Sequence, residues 1–439
     1  MRKYMLLIWA LLSIQTIKAQ FSVSENKHFI LKDGKPFFWM GDTAWELFAR
    51  LNKEEVNTYF KIRSEQGFTV IQASAAELGE KHITANAYGE TPVIDKNPTR
   101  PNEKYFEFVD YVIDEAEKYH LTIALLPTWG SGAEKFDEKN GAFYASWIAK
   151  RYKNKTNLIW ILGGDNDPGK ENNVAVWNAM GKAIMKETDG KALISYHAKP
   201  NRLGSAEWFR NESWFSFNVF QNGHCRDEDV YSKMLPAYNA LPLKPEIDAE
   251  PIYEDHPVCF NVQDLGTSSA YDVRKYAYLD LFSGAFGHTY GCHDVWQMYS
   301  PKHQPINGAH YYWYDALKLP GANQMQYVRK LMESRPYLDR VPDQSVVIEN
   351  NNTPAERIQA TRGNNYIFVY SAYGNPFTVV AAKIQGARLN AYWYNPRDGM
   401  VTTIGTIANN QNNKFTPPSR GYGKDWILVL DDASKNYKL

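Results

Sequence analysis

The sequence predicts an α/β protein: a (β/α)8 TIM barrel over residues 20–335, followed by a small antiparallel β-sandwich over residues 345–439. Three observations predict it. Strand-like and helix-like stretches alternate eight times across roughly 300 residues, a span usual for a closed barrel. The strand-like runs, such as Asn157-Leu-Ile-Trp-Ile-Leu-Gly-Gly, are apolar without a helical period, as strands buried on both faces are. Beyond the polar run Glu349-Asn-Asn-Asn-Thr-Pro354 the helical spacing stops and only short alternating segments follow. A doubly wound sheet is the main competitor, but no glycine-rich phosphate turn follows the first strand.

A small hairpin turning at Asp33-Gly34 leads to the first strand, Phe37–Gly41. A helix begins at Asn52, its N-cap, with Glu55 as capping-box partner and Gly67 as stop. Strand two is Thr69–Ala73. Tyr105, Val109, Val112, Ile113 and Ala116 recur at helical spacing, so 102–120 is an amphipathic helix facing a core. Strand three, Leu121–Leu126, runs into Pro127-Thr-Trp-Gly130, and a helix follows at 142–153. Strand four closes on Asp165; a helix at 174–187, strand five at 192–196 and strand six at 215–220 come next. Strand seven carries Glu250, a helix spans 270–282, and strand eight, 284–290, leads to Trp296. After a last helix near 324–333, six strands are expected at 357–361, 366–371, 377–382, 388–394, 400–407 and 425–430, the pattern of a small sandwich.

Residues 1–19 carry Arg2 and Lys3, an apolar run from Tyr4 to Ile14 and a polar close, the layout of a secretory signal peptide. The mature chain is therefore expected to be secreted or periplasmic, and with no cysteine at the cleavage point no membrane anchor is expected. Cys225, Cys259 and Cys292 allow one disulfide plus a free thiol, or none. A net charge of +0 gives no electrostatic reason for a nucleic-acid partner. Thirteen Trp and 29 Tyr suit either a large core or a site that stacks flat sugar faces.

Two of these strands run straight from an apolar core pattern into a carboxylate, Asp165 after strand four and Glu250 after strand seven. Strand ends at the carboxyl rim are where parallel barrels place their chemistry. Two carboxyl groups roughly 5–5.5 Å apart suit retaining hydrolysis of a glycosidic bond, one attacking and one donating a proton. That assignment needs Glu250 kept ionised by donors such as Tyr253 or His197, and Asp165 raised partly by the neighbouring negative charge. Around them, Asp42 and Trp45 follow strand one, Glu77 strand two, Trp129 strand three, His197 strand five, Gln221 strand six, and His288 and Trp296 accompany strand eight. Each has a plain alternative: Asp42 a helix cap, Glu77 a surface ion pair, the tryptophans packing, the histidines rim residues with satisfied hydrogen bonds. Asp248 shares the parity of Glu250 and suits a structural acceptor inside the barrel. His224, Cys225 and Asp227 cluster, as do His288, Cys292, His293 and Asp294, but neither set has a recognised zinc spacing, and no metal or other cofactor is expected. Serine-hydrolase chemistry is disfavoured because no Gly-x-Ser-x-Gly elbow appears.

Gly41-Asp-Thr-Ala-Trp45, Trp160-Ile-Leu-Gly-Gly-Asp165, Asp248-Ala-Glu-Pro-Ile-Tyr-Glu254 and the β-rich tail together resemble glycoside hydrolase family 140, the apiosidase-like proteins. The resemblance spans nearly the whole mature chain, and the tail is similar to the domain labelled collagen-binding in such proteins. It implies a retaining exo-hydrolase of plant cell-wall glycans that removes apiose from rhamnogalacturonan II, with Asp165 on the acid/base and Glu250 on the nucleophile. An oligosaccharide or polysaccharide is then the partner. The same carboxylates would serve another small glycone such as arabinofuranose; a non-catalytic glycan- or matrix-binding protein is the alternative outside the enzymes.

Overall fold

The computed structural model describes residues 21–79, 84–349 and 353–438; the expected signal peptide lies outside them. A three-stranded antiparallel sheet over residues 21–36 opens the chain, turning at Asp33-Gly34, and seats Phe29 on Tyr337 with ring centroids 4.8 Å apart.

Eight parallel strands form the barrel: β1 (Trp39–Thr43), β2 (Val70–Ser74), β3 (Thr122–Leu126), β4 (Leu158–Asn166), β5 (Ile194–Ala198), β6 (Asn218–Phe220), β7 (Glu246–Asp248) and β8 (Gly287–Tyr290). Six of them ladder in the order β8-β1-β2-β3-β4-β5, and β6 pairs with β7. A parallel bridge from Ile194 to Phe215 joins the two sheets on one side. On the other, the Phe286 N–H donates to Glu246 O at 2.9 Å, closing the ring. Strands six and seven are shorter than the sequence suggests, and Glu250 stands two residues beyond the last ladder residue of β7.

Main helices cover the outside: α1 (Lys53–Glu65), α2 (Glu103–Lys118), α3 (Glu138–Tyr152), α4 (Val174–Glu187), α5 (Val230–Tyr238), α6 (Ala270–Phe282) and α7 (Pro320–Glu333). Asn52 caps α1 by accepting from the Glu54 and Glu55 N–H groups, while the Glu55 carboxylate accepts from the Asn52 N–H, as the capping box requires. Gly67, at φ 85°, takes the left-handed turn that ends the helix.

The tail forms a six-stranded antiparallel sheet from β9 (Val341–Pro342), β10 (Ile358–Arg362), β11 (Tyr366–Ser371), β13 (Arg388–Tyr394), β14 (Val401–Ala408) and β16 (Trp426–Asp432), backed by the two-stranded pair of β12 (Phe377–Val379) and β15 (Asn413–Phe415). Strand alternation divides β11 between two cores. Ile367 and Val369 point into the sandwich, whereas Tyr366, Phe368 and Tyr370 join the barrel core. Tyr370 stacks on Tyr278 and Phe368 on Phe282, both from α6. Helix α6 is therefore covered on all sides, and its residues from Tyr271 to Phe282 are buried although Asp272, Arg274, Lys275 and Asp280 are among them.

Candidate active site

The end of β4 is built to turn Asp165 out of the ladder. Gly163, Gly164 and Asp165 all have positive φ, at 81°, 127° and 47°, and the pairing with β5 shifts register between Gly163 and Asn166. A Cβ on Gly164 would stand 2.7 Å from the Trp129 ring, so only glycine lets that indole lie against the strand end. Asp165 holds its left-handed conformation without that excuse, as residues at strained functional positions do. Asp165 reaches the cavity surface as an exposed residue while its carboxyl group is crowded by the surrounding protein, and its Oδ1 accepts a 2.7 Å hydrogen bond from the Gln221 amide.

Glu250 is placed from below. The Asp248 carboxylate accepts the Glu250 N–H at 3.2 Å and an Asn222 amide N–H at 2.7 Å. The Glu250 side chain is buried between two imidazoles, with His197 Nε2 3.1 Å from Oε2 and His224 Nε2 3.2 Å from Oε1. One ligand atom each from Asp165, His197 and Glu250 lie within 4.8 Å of one another, the one such group of three among the described residues. These three are also the donors a cation would use. His197, however, turns Nε2 to Glu250 Oε2 at ion-pair distance, 3.1 Å, and carboxylate oxygens no more than 4.8 Å apart fall on the close, retaining side of the spacings glycosidases use rather than the wide, inverting one.

The surroundings drive the two carboxyls apart. Desolvation and then the Glu250 charge raise the pKa of Asp165, against the opposing pull of His197, Gln221 and His224. Desolvation also acts to raise Glu250, but hydrogen bonding and charge from His197 and His224 override it and hold that carboxyl well below the usual range. His197, despite a desolvation that lowers it, is raised by Glu250 and Asp165. A carboxyl pushed towards its acid form beside one held towards its ionised form is the division of labour that glycosidic hydrolysis needs.

Both carboxylates open on a cavity of about 420 Å³. Trp45, Glu77, Trp129, Tyr253 and Trp296 line it, and Trp45 and Trp129 box His197 at ring distances of 5.3 and 6.0 Å. His197 and Gln221 stand one layer back, acting on Glu250 and Asp165. Four expected binding residues thus do not line the cavity: these two, Asp42 and His288. Asp42 is fully buried within β1, its carboxylate taken by the Arg63 guanidinium at 2.6 Å and the Tyr59 hydroxyl at 2.5 Å. His288 is fully buried as well, 2.9 Å from Asp280 and pushed down to about 4, with desolvation the main cause.

His224 is the residue whose role the sequence hid: it stood in an apparent metal cluster, and only the fold brings it to Glu250. A disulfide between Cys225 and Cys259 removes one thiolate of that cluster, and Cys292 is a buried free thiol. His256, Phe260 and Asn307 also line the cavity from segments between the main elements, and Arg50 from the short helix Leu47–Arg50, none of which carries a periodic signal.

A family model described as "Apiosidase-like, catalytic domain" matches residues 24–339. The chain belongs to the apiosidase-like family. A second model, described as "Putative collagen-binding domain of a collagenase", matches residues 341–431 of this apiosidase-like protein. Among solved structures, one named "Glycoside hydrolase" shares 36% identity, covers 96% of this chain and 98% of its own, and superposes with a TM-score of 0.89. A glycoside hydrolase family 5 structure from Bacteroides vulgatus is similar at 34% identity, TM-score 0.89 and 96% and 95% coverage. A further glycoside hydrolase structure from the same species, at 13% identity and TM-score 0.70, shares the fold, covering 95% of this chain and 83% of its own. No curated protein matches the chain. The apiosidase-like barrel is thus a glycoside hydrolase. Among its described residues no helix is long and apolar enough to cross a membrane.

Proposed function

We propose that the protein is a secreted or periplasmic, retaining exo-glycosidase that releases apiose from rhamnogalacturonan II side chains in pectin degradation, with Asp165 as acid/base and Glu250 as nucleophile. The observation that carries the mechanism is the pair itself: Asp165 and Glu250 offer oxygens within 4.8 Å of each other on one cavity, with opposite pKa shifts. In the first step the Glu250 carboxylate bonds to the anomeric carbon as the glycosidic C–O bond breaks, and the Asp165 proton passes to the departing oxygen. In the second, Asp165, now a carboxylate, takes a proton from water; the oxygen of that water bonds to the anomeric carbon, and the bond to Glu250 breaks. Trp45, Trp129 and Trp296 supply faces for stacking, while Glu77 and Tyr253 supply groups for sugar hydroxyls. The choice of apiose rests on the family and not on any one contact.

The test is release of monosaccharide from rhamnogalacturonan II and from a panel of aryl pentosides and hexosides. Wild type should release apiose, and Asp165→Asn and Glu250→Gln should each lose at least roughly a thousandfold in rate, about 4 kcal/mol of barrier. Release of arabinofuranose instead would move the substrate. Equal rates in mutants and wild type would end the assignment of both carboxylates.

A further inference from the structure

Two loops meet beside Glu250. One leaves β6 through His224 and Cys225, and the other leaves β7 and reaches Cys259 and Phe260. The Cys225–Cys259 disulfide ties them, and the Cys259 N–H donates to His224 O at 2.9 Å. His224, 3.2 Å from Glu250, and Phe260, on the cavity wall, therefore belong to one cross-linked unit. Cys259 and Phe260 are consecutive non-glycine residues in the left-handed region, at φ 49° and 61°, a backbone that persists only where its surroundings over-determine it. The tie and the ring contacts supply that constraint. Phe260 sits edge-on to His256 at 4.8 Å and to His224 at 5.6 Å, and His256 stacks on His224 at 4.1 Å. His256 Nδ1 is 2.7 Å from Pro257 O, and desolvation with the neighbouring imidazoles pushes it to about 3, so the ring against His224 is neutral. Phe260 itself remains 65% exposed, a large apolar face presented to the cavity that holds both carboxylates.

We propose that this unit is a second binding wall, in which Phe260 stacks on the apolar face of a substrate sugar ring and the disulfide holds both Phe260 and the positioning residue His224 in register with Glu250. The inference rests on the glycosidase reading of the cavity. It predicts a split between binding and turnover. Phe260→Ala raises KM about tenfold, the size of one lost ring contact, and leaves kcat within about twofold; Phe260→Trp restores KM. Cys225→Ser/Cys259→Ser lowers kcat at least tenfold. Reducing wild type with dithiothreitol has the same effect: the reagent gives two electrons and two protons to the cystine, leaving two thiols and a cyclic disulfide, and reoxidation restores the rate.

Kinetics on the best aryl glycoside would be read beside tryptophan-fluorescence titration with apiose and with arabinose, which needs no turnover. An unchanged KM in Phe260→Ala, or an unchanged kcat in the double serine variant with only its melting temperature lowered, overturns the proposal and leaves the disulfide as a structural brace. Should wild type hydrolyse no glycoside, the glycosidase reading falls by itself. The titration then decides for Phe260: weaker sugar binding in Phe260→Ala upholds the wall, and equal binding removes it.

Discussion

The mouth of the barrel and the seam between barrel and sandwich both bury charge, but they finish it differently. At the seam, Arg274 grips Asp425 with two hydrogen bonds of 2.9 and 2.6 Å, and Arg335 grips Asp431 with two of 2.9 and 2.7 Å. All four side chains are nearly or wholly buried and every carboxylate oxygen is met by a guanidinium N–H. At the mouth, Asp165 and Glu250 face each other with only neutral or titratable donors around them and one side open to the cavity. Charges that are closed off hold two domains together; charges left incomplete are available to a substrate. The comparison also fits the tail as a brace: its largest sheet spends one face on α6.

The largest effect should separate the two regions most sharply. Glu250→Gln, expected to lose at least roughly a thousandfold in rate, should lower the melting temperature less than a seam mutation: it gives up the stability that a carboxyl held below its usual range contributes, but the imidazoles it leaves behind can shed their protons. A melting temperature lowered as far as by a seam mutation would make Glu250 a structural residue and erase the contrast. Arg274→Ala should do the converse, costing about 3–5 kcal/mol because Asp425 is left buried with its main partner gone. Urea unfolding measures the cost, and kcat/KM of the folded fraction should stay within about twofold. A rate loss comparable to that of Glu250→Gln would mean that the seam reaches the mouth.

Gly164→Ala sharpens the comparison within the mouth. The added methyl meets the Trp129 ring at 2.7 Å on a backbone of φ 127°, so it displaces the indole or the strand end that carries Asp165. A loss of about 1–3 kcal/mol in stability is expected from the strain, with a raised KM from the displaced indole. A wild-type KM would show that Trp129 is packing and not a platform.

Much of this was legible in the chain because periodicity and capping are local. The Asn52–Glu55 capping box, the α4 boundaries and the strand-end placement of Asp165 and Glu250 each depend on residues within a few positions. Asp42 and Asp165 show where that stops. Both end apolar strands, yet Asp42 is closed by Arg63 and Tyr59 from the following helix, and nothing in the first strand announces that pairing. His224 is hidden for the same reason, lying 26 residues before its partner Glu250. The disulfide depended on which of three cysteines two loops would bring together. The two-strand ladder of β12 and β15 was half missed because Asn413–Phe415 is too short for alternation to register.

The smallest predicted effect tests the electrostatic half of the comparison. The Gln221 amide donates to the Asp165 carboxylate, a bond that favours the ionised form and so opposes the upward shift set by desolvation and Glu250. Gln221→Ala removes the donor, and the pKa of Asp165 should rise further. Since the acid must be protonated, activity is lost as pH climbs through that pKa, and the alkaline limb of kcat/KM should move to higher pH. The acid limb belongs to Glu250, held down by His197 and His224, which Gln221→Ala leaves in place. His197→Asn provides the counterpart: the imidazole lowers both carboxyls, so its loss should move both limbs upward. A Gln221→Ala profile whose acid limb moves up instead would mean that the two carboxyls have exchanged roles, and an alkaline limb that moves down would mean that Gln221 does not favour the ionised Asp165.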